Sequence, residues 1–233
     1  MVLSKLEARI TDVSTRARKG WLLSYGDMIT LVITFFIMML NVRAGEITKV
    51  HAWVNSRLND TTREIQRVVD LLNISVIHID RDSKGVKISL NDPRLFETGS
   101  AEPRLELIYQ LQTLGATIKN MDIVNLHASR WAPWLREFER NGLMWNLEIR
   151  VEGHTDNVPL IPGSKYRDNW ELSAARAQTV MRLLQEYTGL PGAQFAVAGF
   201  GEHQPIASNG TPTGREMNRR VEIFINASLT HQL

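Results

Sequence analysis

The chain has 233 residues, with 27 Lys and Arg against 25 Asp and Glu, 43% apolar residues and no cysteine. A formal net charge of +2 argues against an all-over basic nucleic-acid binder, so no nucleic-acid partner is expected. The missing cysteines exclude disulfide scaffolds, thiol nucleophiles, zinc ribbons and iron–sulfur ligation.

Residues 1–20 form a basic tail, with Lys5, Arg9, Arg16, Arg18 and Lys19 against Glu7 and Asp12. They lead into residues 21–41, WLLSYGDMITLVITFFIMMLN. A helix of that length crosses a hydrocarbon layer of about 30 Å. Basic residues ahead of the span predict a cytoplasmic N-terminus and place everything after residue 42 outside, in the periplasm of a two-membrane cell. The expected location is the inner membrane, in single-pass topology. A cleaved signal peptide is the rival reading, with Val42-Arg43-Ala44 as its small-residue site. The length of the apolar run and the aspartate inside it favour a retained anchor.

That aspartate, Asp27, is the most informative residue of the chain. A carboxylate inside a membrane helix costs about 2.5–3.5 kcal/mol on insertion scales, so it is usually functional and faces protein or water. Ser24, Asp27, Leu31, Thr34, Met38 and Asn41 follow a 3.5-residue rhythm that sets the polar atoms on one stripe, with Thr30 three residues beyond the aspartate. Gly26 beside it permits close helix approach. The bland reading is an interfacial carboxylate that snorkels to water. The sharper one is an ion-binding Asp27 that a proton or cation neutralises in transit, with Ser24, Thr30 and Thr34 as neighbours of the path. One helix cannot enclose such a path, so partner helices are implied.

Residues 42–73 read as a helical linker: Ile47, Val50, Val54, Leu58, Ile65, Val68, Val69 and Leu72 fall largely at three- and four-residue steps. Asn59-Asp60-Thr61-Thr62 is a candidate break, with Asp60 or Thr61 capping a second helix. The segment is either a spacer that packs on a partner or on the domain, or a plug-like regulatory element.

From residue 74 the period changes to two. Residues 74–80 and 86–90 alternate around an Asp82-Ser83-Lys84-Gly85 turn, which predicts a β-hairpin. Helices are expected over 105–118 and 172–187, and strands over 147–152, 194–199 and 220–225. The order predicts an α+β sandwich over residues 74–228, with helices on one face of the sheet. Between helix and strand, residues 125–146 add Trp131, Trp134 and Trp145. Trp131, Trp134, Leu135 and Phe138 suit a short amphipathic helix that covers the domain or forms a dimer contact.

Three stretches carry a resemblance: Val151–Pro159 (VEGHTDNVP), Asn169–Ala177 (NWELSAARA) and Asn218–Ile223 (NRRVEI), flanked by Phe96–Ala101 and Gly199–Glu202. Together they resemble the OmpA-like peptidoglycan-binding domain, and specifically the MotB/PomB branch, the B subunits of ion-driven bacterial stators. The branch also carries a tryptophan-led membrane helix with one aspartate, matching Trp21 and Asp27. The resemblance implies a homodimer inside a ring of MotA-like multi-pass subunits, H+ or Na+ as the transported ion and no cofactor, with the domain bound to a peptidoglycan stem peptide. A non-flagellar stator-like motor (an anti-phage Zorya-type system or a gliding apparatus) and a passive peptidoglycan tether are the alternatives.

The site is also readable from its residues. Asp156 ends a strand-to-loop turn and Arg176 lies in the first turns of the following helix. A carboxylate and a guanidinium held apart offer charge-assisted bonds to a zwitterionic amino acid such as diaminopimelate. In the family these two positions bind the stem peptide; Thr155, Asn157, Leu172 and Asn218 would line or support the pocket. The competing expectation is a plain Asp156–Arg176 salt bridge, with Arg219 and Arg220 as strand-end charges. His154 reads as a packed turn residue, with no second histidine or carboxylate at metal-ligand spacing. No phosphate loop or paired-carboxylate arrangement is present, so no catalytic residue and no enzyme activity are expected.

Overall fold

The computed structural model describes the backbone of residues 2–72, 74, 77–82 and 85–231; within these, side chains are described for 21–40 and from 48 onward, Pro93 excepted. The chain divides into two compact units, Met1–Ala52 and Trp53–Leu233. Helix α1 covers Val2–Leu71, so it supplies the first unit and residues 53–71 of the second. No proline occurs before Pro93, so nothing in the covalent chain interrupts it.

In the first unit, Trp21–Leu40 is a 20-residue stretch of mean hydropathy 1.8, long and apolar enough to cross a membrane, with every side chain exposed. The Thr30 hydroxyl donates to the carbonyls of Gly26 (3.1 Å) and Asp27 (2.8 Å). That of Thr34 donates to Thr30 and Leu31, both at 2.9 Å. Bonding back to the preceding turn satisfies both hydroxyls within the helix. The side chains of the basic tail and of Asn41, the last member of the polar stripe, lie outside the described residues.

The second unit is an α+β layer structure. Strands β1 (Ile77–Arg81), β2 (Gly85–Leu90), β3 (Leu143–Gly153), β4 (Phe195–Gly199) and β5 (Val221–His231) form one sheet in the order β1-β2-β5-β3-β4. All neighbours are antiparallel except β3 and β4, which run parallel with Val151 opposite Val197. A parallel pair needs a crossover, and helix α4 (Asn169–Thr188) supplies it. The alternation read from the sequence puts Val86, Ile88, Ile149, Val151, Ile223 and Ile225 on the buried side. They pack in one core with Leu107, Leu111 and Ile118 of α2 (Leu105–Asn120) and with Ala177, Val180 and Leu184 of α4.

Two expectations for the linker are corrected. The folded unit begins at Trp53 rather than at residue 74, because Val54, Leu58, Ile65 and Val69 of α1 are buried in the same core. Nor does the helix break at residues 59–62. The Thr61 and Thr62 hydroxyls donate to Arg57 O (3.0 Å) and Leu58 O (2.9 Å), and the Asp60 carboxylate pairs with Arg57 and Arg63. Groups that could have capped a new helix are spent inside the existing one.

The tryptophan-rich insertion forms the short helix α3 (Ala132–Arg140), with Leu135 fully buried, and it covers the α1 segment. Trp53 meets Phe138 (5.1 Å) and Trp145 (5.8 Å) edge to face, and the Arg57 guanidinium carbon lies 3.3 Å from the Trp131 ring centre. One helix was not foreseen, α5 (Pro212–Asn218), which starts at a Thr211 cap and a proline.

Candidate functional site

The site forms where β3 and β4 end and β5 begins. Main-chain bonds knit these ends together: Phe200 N to Gly153 O (3.0 Å), His154 N to Arg220 O (3.0 Å) and Thr155 N to Gly201 O (2.9 Å). Helix α4 lies unusually close over them. A Cβ on Gly153 would fall 2.0 Å from Ser173 O, and one on Gly199 would fall 2.6 Å from Ala174 N. Bare glycines on adjacent strands let the helix settle onto the sheet and carry Arg176 to the strand ends. The start of the helix is fixed by Asp168, whose carboxylate accepts from Glu171 N at 2.8 Å.

Asp156 is buried at 7% exposure. Its Oδ1 accepts from Val158 N at 3.1 Å, and its Oδ2 is paired with Arg219 Nη1 at 2.5 Å. Asn169 braces the turn by donating to Asp156 O (3.2 Å), Val158 O (3.0 Å) and Glu202 Oε2 (3.1 Å). The competing expectation, a direct Asp156–Arg176 bridge, is therefore corrected: the partner of Asp156 is Arg219. Residue 219 adjoins the pocket floor because Asn218 ends α5 beside β5, a placement that strand periodicity does not reveal.

Arg176 is held by the loop that the sequence marked only as a landmark. Its Nε donates to Ser100 O (2.9 Å), its Nη2 to Glu97 O (3.4 Å), and its guanidinium carbon lies 5.0 Å from the Phe96 ring centre. Gly99, at φ 66°, makes the tight turn that aims those carbonyls. Burial and the nearby Arg219 cation pull Arg176 down to about 10, against the attraction of Asp156. Leu90, Asp92, Leu95, Phe96, Arg176, Arg219, Arg220 and Val221 line one pocket.

The other expected site residues separate by role. Thr155 is buried, and its hydroxyl has no hydrogen-bond partner among the described residues. Asn157 is exposed, and Leu172 is buried and absent from the pocket lining. Asn218 is fully buried, accepting from Ile206 N (2.9 Å) and Ala207 N (3.0 Å) and donating to Ala207 O (2.9 Å) and Asn209 Oδ1 (2.7 Å). It organises the 206–209 loop and is absent from the pocket lining.

His154 is buried and stacked on Phe200, with ring centres 5.3 Å apart. The expectation that no carboxylate accompanies it is corrected. Its Nε2 lies 4.0 Å from Glu152 Oε2 and 3.8 Å from Glu222 Oε2, the latter delivered by β5 from far along the chain. Arg150 and Arg220 pair with these carboxylates at 2.8 Å, and Lys87 approaches Glu222 at 3.9 Å. Burial, Arg220 and Lys87 depress the imidazole to about 4 against Glu222. With cations already balancing both carboxylates, the cluster reads as a buried ion-pair network rather than a metal centre.

Comparisons with known proteins find similarities for both ends of the chain. Residues 139–219 match the OmpA family, and residues 10–56 match the family described as the membrane MotB of the proton-channel complex MotA/MotB. The chain is 28% identical to the uncharacterized protein YtxE of Bacillus subtilis, over 93% of this chain and 92% of that protein. It is 36% identical to motility protein B of the same organism over 61% of this chain, an alignment that spans 46% of that relative. Among solved structures, a MotB-like protein from Desulfovibrio vulgaris shares the fold at a TM-score of 0.58 and 23% identity, covering 76% of this chain and 95% of that one. The cell wall anchor of the type VI secretion system from Pseudomonas aeruginosa matches at 0.52 and 28%, covering 70% and 96%.

Proposed function

We propose that this chain, a MotB-type protein with an OmpA-like domain, is the B subunit of an ion-driven stator. Residues 1–20 are its cytoplasmic tail and residues 21–41 its membrane span, with the C-terminal unit in the periplasm. In this reading two copies stand inside a ring of MotA-like multi-pass subunits. Asp27 takes up H+ or Na+ as it passes, and loss of the charge shifts the packing between the span and the ring. Ser24, Thr30 and Thr34 flank the path. Cell-wall attachment keeps the B dimer still, so that the ring turns against it and delivers torque to the flagellar motor.

The attachment chemistry rests on Arg176 and Arg219, which line the pocket, and on Asp156, which lies outside its lining and is bonded to Arg219. A stem-peptide diaminopimelate presents an ammonium and a carboxylate on one carbon, and these suit a carboxylate and a forked guanidinium. The observation that carries the reading is the union, in one chain, of a membrane-length helix bearing Asp27 with the Asp156–Arg219 pair beside an arginine-lined pocket. Asp27→Asn is expected to abolish ion-coupled work while the complex still assembles; motility retained in that variant sinks the motor reading. Asp156→Ala and Arg176→Ala are expected to lower co-sedimentation with purified sacculi about tenfold or more, the loss of one charge-assisted bond. Unchanged sedimentation refutes the site.

The likeness to a secretion-system cell wall anchor favours a second reading, a tether without a motor. Co-purification from native membranes separates the two. A multi-pass subunit in excess over the chain supports the stator, and a lone chain supports the tether.

A further inference from the structure

The pocket holds more positive charge than its own carboxylates balance. Three guanidiniums line it, those of Arg176, Arg219 and Arg220. Arg220 is bonded through Nε to Glu222 Oε1 at 2.8 Å, and Arg219 is bonded to Asp156. Arg176 has only carbonyl partners, Ser100 O and Glu97 O, among the described residues. Asp92, the acid in the lining, is bonded to Arg94 through Nε and Nη2. The pocket therefore lacks one anion, and it lies beside the cation it would have to neutralise.

Asp156, outside the lining but bonded to the lining residue Arg219, is in the opposite condition. Asp156 is nine-tenths buried and both its oxygens already accept hydrogen bonds. One donor, Val158 N, belongs to the main chain and cannot leave. The other is a long side chain with 30% of its surface exposed, so it can move. A ligand ammonium reaches Asp156 by displacing that guanidinium.

We infer that Arg219 is a binding residue that works by exchange: the ligand's ammonium replaces it on Asp156, and the freed guanidinium joins Arg176 on the ligand's carboxylate. The inference rests on the stem-peptide reading of the site and names what the site selects, an amino-acid end whose carboxylate is free rather than amidated. The charge count stays even through the exchange. Asp156 trades one cation for another, and two guanidiniums that repel each other gain an anion between them. An amide in place of the carboxylate offers them no charge.

The test uses the full chain in detergent micelles, titrated calorimetrically with two probes. One is the tripeptide L-alanyl-γ-D-glutamyl-meso-diaminopimelate, and the other is the same peptide amidated at the carboxylate of the diaminopimelate side-chain end. The wild-type chain is expected to bind the free acid about tenfold or more tightly than the amide. In Arg219→Gln the free acid loses about tenfold and the amide changes less than about threefold, so the preference collapses. Arg219→Lys keeps a point charge without the fork and is expected to retain an intermediate preference. It also serves if the glutamine variant fails to melt like the wild type. A wild-type chain that does not discriminate, or folded Arg219 variants that keep the full preference, overturns the exchange. Asp156→Ala and Arg176→Gln report separately. If both bind both probes normally, the stem-peptide reading itself falls; if they lose binding while the Arg219 variants do not, only the exchange falls.

Discussion

Between Trp21 and Leu40 every side chain is exposed, and the polar ones are either bonded to their own helix or, like Asp27, outward-facing. In the second unit the groups proposed to bind come from four distant places, Phe96, Asp156, Arg176 and Arg219, and each is held by contacts with its neighbours. A helix that satisfies its own backbone can present one chemical group at a chosen depth with no tertiary structure of its own, but that group acts only once other helices enclose it. A pocket built by convergence is complete in one chain, and it depends on the stability of everything beneath it.

The sharpest way to break this contrast is Asp27→Asn. It is expected to remove all ion-driven work, read as motility or ion flux, while sacculus binding and the melting transition of the C-terminal unit stay at wild-type values. A drop in either of those would mean that the two regions are not separable. Within the second unit, Leu111→Ala empties a fully buried position between helix and sheet. A loss of about 2–5 kcal/mol by denaturant titration is expected, with the pocket intact in the molecules that remain folded.

Gly153→Ala should cost less, about 1–3 kcal/mol, because α4 has to lift off Ser173 O. Unlike the core truncation, it should also weaken sacculus binding in the folded fraction, since lifting α4 moves Arg176. The smallest effect expected is a pH response. Hydrogen bonds from Arg94 hold Asp92 below the usual carboxylate range. The sign follows from linkage: a depressed folded-state value contributes stability above the unfolded-state value, and that stability is lost as pH falls through the folded one. Melting temperatures should therefore decline below about pH 4 and decline less in Asp92→Asn.

The long apolar helix was readable because one physical rule, a run of about twenty apolar residues, makes it a candidate to cross a membrane. The hairpin, helices α2 and α4 and the pairing strands of the sheet were readable from their periods of two and 3.6. What escaped depends on contacts between distant segments. The start of the folded unit at Trp53 looks in sequence like any amphipathic spacer, since nothing in the pattern says which surface its apolar stripe will meet. The helix through Asp60, Thr61 and Thr62 carries cap-forming residues, and side-chain bonding to the previous turn overrode that signal. Asp156 and Arg176 could be chosen as a pair, but the partner of Asp156 arrives from 63 residues away. Arg219 lay inside the NRRVEI motif but read only as a strand-end charge, and periodicity offered no further signal.

Strand β3 links two features in a way that bears on load. At its start Trp145 meets Trp53 of α1, and just past its end stands Asp156. A pull between residue 53 and a wall-bound Asp156 therefore runs along the strand axis. The β3–β5 ladder pairs eleven residues, from Leu143 with His231 to Gly153 with Val221. Its hydrogen bonds lie across that axis, so any part of the pull that passes from β3 to β5 loads them in shear instead of peeling them one by one. A strand paired over this length resists a lengthwise load better than a sideways one.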